Sequence, residues 1–574
     1  MNVTGINSID LGVILVYILV MVIVGIVFAR FMKTTRDLFA AGTNAPWWLS
    51  GISSYMTIFS AGTFVIWGSI AYVFGWVGIT IQWVITVGLL VSTVFFSHRW
   101  KRIGIESPVQ FLEERFSFGV RQLIVWVRLP TAIMITAQSL YSISVLTQNQ
   151  IGVGYSLNTI IVIMTSIVVL YTILGGLWAV FTTDMLQFFV LMLITIMILL
   201  LSLKTVGGLW VFIDRAPAGF FHLAQNASDY AEPHRVKFTW SYFLFWTIFK
   251  TFEICTFWEL IQRYQSCRSE KEAKRSGYLV AGLYAVTPII WLLPIMIYRV
   301  IDPSYYNPAD PLATGQAEVI YMVMCRKLLP YGLAGLALAA MLSATGSLVN
   351  SSLNVMSAVL TRDFYARLFR KNASDRELLL IGRILIFLLG IVIAFMACNI
   401  KNWGGVVNWL FLCRTVFGGP MVVPFLWGII SRRTSAKTVW WAVITGVLVS
   451  SIFQFVLPRY GSEITLANKI LASIVVPFLV LVIGDMITRQ DPVKQEEVNS
   501  FFNRMNTPLS ISHGISTIDY GPIILIGIFT AFFGVVIMQL LWFVKEQKFF
   551  IFSFSIALII FGVLLAFIKR FAKR

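Results

Sequence analysis

Fifteen stretches of about 20 mostly apolar residues follow one another along this chain. Each is long enough to cross a hydrocarbon slab as an α-helix. Backbone facing lipid must satisfy its own hydrogen bonds, which leaves only helices and closed barrels. No stretch alternates with the period of two that barrel strands require. The expected fold is all-α and polytopic. Spans are placed near 9–29, 46–70, 78–97, 121–147, 158–178, 182–203, 239–262, 277–298, 331–361, 378–398, 404–431, 438–457, 466–488, 521–542 and 549–568. Of the 574 residues, 58% are hydrophobic and 12% charged, too little polar surface for a soluble domain of this size. The first span has neither a basic start nor a small-residue cleavage site and reads as a retained helix.

A net charge of +18 raises the question of a polyanion partner. The distribution answers it. Connections taken alternately from 30–45 onward hold most of the 44 Lys and Arg. Basic connections stay in the cytoplasm. The amino terminus is then expected outside and the carboxyl terminus inside, in a plasma (inner) membrane. The lipid bilayer explains the composition, and no nucleic acid is expected. The five cysteines show no paired spacing, and all four histidines fall in connections. No clustered nucleophile or His/Asp set suggests an enzyme. No appended signalling domain suggests a sensor, and no repeated pore loop suggests a channel.

The spans group as one, five, five and four. The corresponding regions are 1–45, 46–238, 239–437 and 438–574. The second span is interrupted at Ser60-Ala61-Gly62-Thr63, and the seventh carries Lys250 and Glu253 at its middle. These are the first helices of the two groups of five. Broken or polar helices at matching positions of two halves point to a transporter site. An odd number of helices per half gives the halves opposite orientations, as an inverted repeat requires. The connection 204–238 has room for short surface helices, and 489–520 reads as a cytoplasmic linker.

Asp184 heads the apolar run Phe188 to Leu203, just after Gly175-Gly176. A carboxylate beside lipid is costly and marks function by default. The ninth span supplies a possible partner face: Ser343, Ser347, Asn350, Ser351 and Asn354 share one side of a helix. Their oxygens suit a hard cation. The alternative is ordinary contact between helices, where small hydroxylated residues are common. Asp184 tips the balance toward a cation.

Four blocks in order resemble the solute:sodium symporter family, which includes sodium–glucose, sodium–proline and sodium–iodide transporters. They are Phe39–Trp48, Lys101–Phe116, the Gly175-Gly176 to Gln187 block, and the Ser/Asn stripe ending at Asp363 with Pro424–Arg433. The similarity is greatest to the bacterial sugar and sialic acid branch and covers roughly 9–450. It implies two inverted five-helix repeats, a LeuT-like core, with sodium as the coupling ion for symport by alternating access. The resemblance places the principal sodium site at the carbonyls of Met56, Phe59 and Ala344 and the hydroxyl of Ser347. Leu348 stands where the family has a second hydroxyl, with Thr345 and Ser351 as nearby substitutes. A second sodium site falls at Asp184, Ser347, Asn350 and Ser351.

The small-molecule solute is expected at the midplane between the first helices of each half. Ser60 and Thr63 occupy the interruption. Gln82 lies where sugar-transporting members place a polar contact, and Gln138 is central in the fourth span. Lys250 and Glu253 are i, i+3 neighbours able to pair, and Arg414 lies within the eleventh span. Glu259 is expected to meet Arg263. A charged pocket suits a sugar acid, an amino sugar or another charged solute. The rival reading is the same fold coupled to protons, or uncoupled, for which Leu348 is the best argument.

Overall fold

The computed structural model describes residues 8–29, 45–105, 109–151, 154–174, 177–225, 237–303, 313–330, 332–370, 373–403, 405–460, 464–488, 491–509, 521–542 and 548–567. Gly175-Gly176 and parts of the first two matching blocks, 39–44 and 106–108, lie outside them. The chain opens with α1 (Ser8–Ala29), followed by α2 (Trp47–Ile58) and α3 (Thr63–Phe74). Next come α4 (Val77–Ile103), α5 (Gln110–Arg115), α6 (Phe118–Ile151), α7 (Leu157–Leu174), α8 (Leu177–Val206) and α9 (Leu209–Arg215). The second half holds α10 (Trp240–Cys255), α11 (Trp258–Ser266), α12 (Glu270–Ile301), α13 (Ala313–Leu328), α14 (Leu333–Val359), α15 (Asp375–Asn399) and α16 (Val406–Ile430). It ends with α17 (Ala436–Ser451), α18 (Leu466–Ile487), α19 (Pro492–Asn506), α20 (Gly521–Met538) and α21 (Lys548–Ala566).

Among the described residues, nine helices are long and apolar enough to cross a membrane, and the bent pair α2–α3 makes a tenth. Shorter apolar stretches in α1, α7, α20 and α21 coincide with four further expected spans. The expected span 239–262 corresponds to α10 and α11. Several helices begin where the sequence offers a cap. Thr239, Ser269, Ser374, Ser435, Thr465 and Asp491 each accept a backbone N–H of the first turn through the side chain. The turn between α3 and α4 requires Gly75, whose φ is +65°; a Cβ there would sit 2.0 Å from the Phe220 carbonyl oxygen.

Two groups of helices emerge from the packing. One contains α2, α4, α10 and α12. The other contains α6, α7, α14 and α15. Helix α8 packs against both, touching α2 and α12 on one side and α14 on the other. Helix α1 lies along α14, and its buried Asp10 accepts the Gly332 and Gly335 N–H groups at 2.7 and 2.8 Å. The start of α14 is thus held by a side chain from the start of α1.

Both lead helices are broken. In the first, the break falls at Phe59 and Ser60, one residue earlier than the expected start of the interruption, and Gly62 is already helical. Phe59 is extended (φ −90°, ψ 142°), and the two halves are bent by 57°. The restart is early because Thr345 Oγ1 on α14 accepts the Ala61 N–H at 2.9 Å, acting as a cap from another helix. The seventh span, expected to be continuous over 239–262, breaks between α10 and α11 at Thr256 and Phe257.

Candidate functional site

Asp184 lies on α8 and is wholly buried. Ser53 of α2 donates to its Oδ2 at 2.5 Å, and Ser347 of α14 donates to its Oδ1. The acid therefore joins the first broken helix to the Ser-rich helix, two elements far apart in sequence. A third group completes the cluster. Arg263 of α11 is also wholly buried, with its guanidinium 4.0 Å from Asp184. Its Nε donates to Ser53 at 3.0 Å, and one terminal nitrogen donates to Thr57 at 3.2 Å and Ser351 at 3.0 Å. A buried charge needs a partner, and this pair meets that need within the chain.

The expected Glu259–Arg263 pair is not made. Glu259 instead faces Arg128 of α6 at 3.3 Å and accepts from Ser352 at 3.4 Å. The reason is the length of α11, which continues to Ser266 and carries Arg263 into the interior rather than into a connection. Asn350 is buried, but its side-chain oxygen accepts from Asn354 at 2.7 Å. Of the expected acid-site residues, Asp184 and Ser347 are bonded directly, Ser351 is linked through Arg263, and Asn350 is engaged along its own helix.

The carbonyls expected at the principal cation site belong to Met56 and Phe59, beside the first break, and to Ala344 on α14. All three residues have no exposed surface. The extended Phe59 turns its carbonyl out of helical register. Thr345 already accepts from Ala61, and Ser351 from Arg263. Leu348 lines a cleft with Arg128, Thr131 and Ile135 of α6, Glu253, Phe257 and Glu259 of the second broken helix, and Arg414 of α16.

Glu253 and Arg414, singled out in the sequence, line that cleft, and Lys250 stands beside Glu253 outside the lining. Glu253 lies between two cations, Lys250 at 2.5 Å and Arg414 at 2.5 Å. Both cations also approach the Trp246 ring, at 5.7 and 5.8 Å from its centroid. Arg414 sits where α16 widens into a π-helical turn, Arg414–Gly418; such bulges are frequent at functional sites. Lys250, Arg414 and Arg128 face two acids, Glu253 and Glu259, leaving one positive charge in excess.

A second set of polar groups is uncharged. Ser60 Oγ accepts the Gly62 N–H at 3.2 Å, and Thr63 Oγ1 accepts the Ser60 N–H at 3.5 Å. Gln82 Nε2, Gln138 Oε1 and Ser142 Oγ are buried without a hydrogen-bond partner among the described residues. Buried polar atoms of this kind call for an explanation. Thr131, Ile135, Gln138 and Ser142 share one face of α6 by their spacing. A Cβ built on Gly62 would lie 3.6 Å from Ser142 Oγ, so this face reaches the first break. One wall of α6 thus runs from the charged cleft to the interrupted helix.

Sequence reasoning missed Ser53, Thr57, Arg128 and Ser142, the place of Arg263 beside Asp184, and the second break. Arg263 carried one signal. It lies four residues after Glu259, in a stretch where both charges would share one face of a continuing helix.

Two broken helices crossing a packed bundle, with polar groups gathered at the breaks, define a secondary active transporter. A profile of the sodium:solute symporter family matches residues 38–446. The chain belongs to that family, whose members are sodium-coupled transporters rather than enzymes. The sodium/sialic acid symporter SiaT of Proteus mirabilis (strain HI4320) is 28% identical over 476 residues, 79% of this chain and 90% of that protein. Sodium/glucose cotransporter 4 of Danio rerio is 25% identical over 493 residues, 79% of this chain and 72% of that protein. A solved structure of a sodium-coupled sialic acid symporter in a substrate-bound outward-open state shares the fold. Its TM-score is 0.73 at 24% identity, covering 84% of this chain and 98% of that one. The LeuT-like architecture and sodium coupling expected from the sequence stand. The protein is an integral membrane protein.

Proposed function

We propose that this symporter carries a small polyhydroxylated solute bearing an anionic group, a sugar acid being the simplest example. The observation that carries the reading is a group of three cations, Lys250, Arg414 and Arg128, around two acids at a cleft lined by Arg128, Arg414, Glu253 and Glu259, with unpaired buried groups on the α6 wall that leads from it. An acid group would balance the charge of Lys250, Arg414 and Arg128. Hydroxyls would satisfy Gln82, Gln138 and Ser142, with Ser60 and Thr63 at the interrupted helix. The 28% identity to a sialic acid symporter supports the same class.

Sodium is cargo as well as driving force. The carbonyls of Met56, Phe59 and Ala344 and the Ser347 hydroxyl form its principal site in this reading. Their position between α2 and α14 means that sodium would bridge the two helix groups. A bridged state holds the outward cavity ready for solute, and solute must then strengthen sodium binding by the same factor. Asp184, Ser347, Asn350 and Ser351 form the second candidate site, where Arg263 competes with sodium for the acid.

The regions 46–238 and 239–437 serve as the inverted repeats, with α1 before them and four helices after. The amino terminus lies outside and the carboxyl terminus in the cytoplasm of a plasma (inner) membrane. The contact of Asp10 with the start of α14 agrees with the count of crossings between them, since it puts both helix starts on one side. A second reading, proton-coupled or uncoupled transport, draws on Leu348 and on Arg263 beside Asp184. The test is uptake into proteoliposomes of neutral sugars, amino sugars and sugar acids, with sodium or choline outside and across pH. Sodium-dependent uptake of a sugar acid, impaired by Lys250→Ala or Arg414→Ala, is expected. Uptake of neutral sugars alone would overturn the anionic reading, and equal uptake in choline would overturn sodium coupling.

A further inference from the structure

Residues 492–506, read from sequence as part of a linker, form the helix α19, with Val498, Phe501, Phe502 and Met505 buried along one side. That side lies on α5 and the end of α4. Phe501 stacks on Phe111 at 6.4 Å, and the Phe502 ring lies 5.8 Å from the Arg115 guanidinium and 5.0 Å from that of Arg432. Polar ties extend the contact. Arg102, at the end of α4, donates to the Asn506 carbonyl at 2.8 Å and pairs with Glu270 at 2.8 Å. Glu270, at the start of α12, accepts the Leu509 N–H at 2.7 Å. Arg504 pairs with Glu114 of α5.

These partners belong to different bodies. α4 and α12 are in the group of the broken helices. α5 is tied to the other group, because Glu113 pairs with Arg121 of α6 at 2.6 Å and with Arg367, beyond α14, at 2.7 Å. Within the group of the broken helices, the start of α2 and the end of α11 are stitched together. Ala45 N donates to Ser266 O at 3.0 Å, and Ser50 Oγ to Arg263 O at 2.9 Å. Cys267 sits at this seam with no exposed surface.

We infer that α19 is a strap across the two helix groups that holds the cytoplasmic gate shut, so that opening inward requires its release. The inference rests on the transporter reading and orientation given above. A segment that binds one arrangement of two bodies favours that arrangement by its differential binding free energy. The exposed ion pairs contribute little each; the buried aromatic face supplies most of the grip.

The experiment uses the full chain, without solute, in a Cys398→Ser background with the remaining cysteines buried. Spin labels are placed through Arg275→Cys at the exposed start of α12 and Arg376→Cys at the exposed start of α15, one in each group, and pulsed electron resonance reads the distance between them. Phe501→Ala with Phe502→Ala should raise the share of a longer-distance population about tenfold. Where that variant folds poorly, Arg102→Gln with Arg504→Gln should raise it about threefold. An unchanged distance distribution in a folded variant overturns the inference. So does featureless broadening over all distances, which would mark general loosening. Because no solute is present, the outcome is independent of the substrate reading.

Discussion

Arg263 changes what Asp184 is able to do. A carboxylate facing a buried guanidinium at 4.0 Å already has its counter-charge, so sodium at that site must displace or share with a tethered cation. Removing one partner of a buried pair typically costs about 3–5 kcal/mol unless another charge replaces it. Arg263→Gln should therefore lose stability in choline and recover much of it in sodium, by about 2–3 kcal/mol at saturation. Thermal unfolding in the two salts measures this; an equal loss in both would mean that Asp184 does not accept the ion. Leu348 is the complementary case. An aliphatic side chain stands where the resemblance expects a hydroxyl, and it lines the cleft. Leu348→Ser should tighten apparent sodium affinity about tenfold, read from sodium-dependent uptake or thermal shift. No change would place the principal site elsewhere.

The helices show which signals the sequence carries and which it does not. The break at Phe59 and Ser60 lies in a run of Ser, Ala, Gly and Thr, and small residues next to a polar one make it legible. The break at Thr256 and Phe257 has neither Gly nor Pro. Thr256 Oγ1 donates back to the Phe252 carbonyl at 2.8 Å, and the helix stops for reasons of packing that no local signal announces. The strap helix was legible and overlooked. Asp491-Pro492 is a capped start, and Val498, Phe501, Phe502 and Met505 follow at i, i+3, i+4, i+7. Helix α13 hid in a connection because only one side of it is apolar. It packs on α3 and α6, with Tyr321 3.9 Å from Phe64 between ring centroids. Burial pushes the Glu318 carboxyl on α13 up to about 7. A carboxyl whose folded value lies above its unfolded one binds protons more tightly when folded, so stability falls as pH rises through about 7. Glu318→Gln should raise the unfolding midpoint by about 1–2 °C at pH 8 and leave it unchanged at pH 5. An equal shift at both values would remove this carboxyl from the pH response.

At the scale of the whole molecule, the layout was the most legible part. Apolar runs are dictated by bilayer thickness, and alternating basic connections follow from the cost of moving positive charge across it. The residues of the site were legible as chemical types, since Asp184, Lys250, Glu253 and Arg414 stand out in an apolar chain. Their pairings were not. Glu253 faces both Lys250 and Arg414, and Glu259 takes Arg128 rather than Arg263, because the partners come from helices whose relative rotation no single segment specifies. The account as a whole depends on sodium bridging the first broken helix and α14 while solute occupies the neighbouring cleft. Each sodium ion entering with the membrane potential brings about 2.3 kcal/mol per 100 mV. The most direct measurement is uptake of a labelled sugar acid into proteoliposomes under an imposed inward sodium gradient, with and without a potential negative inside. The account predicts accumulation above equilibrium that grows with the potential and collapses when sodium is equal on both sides. Accumulation that persists with choline in place of sodium, or follows an imposed proton gradient instead, would contradict it.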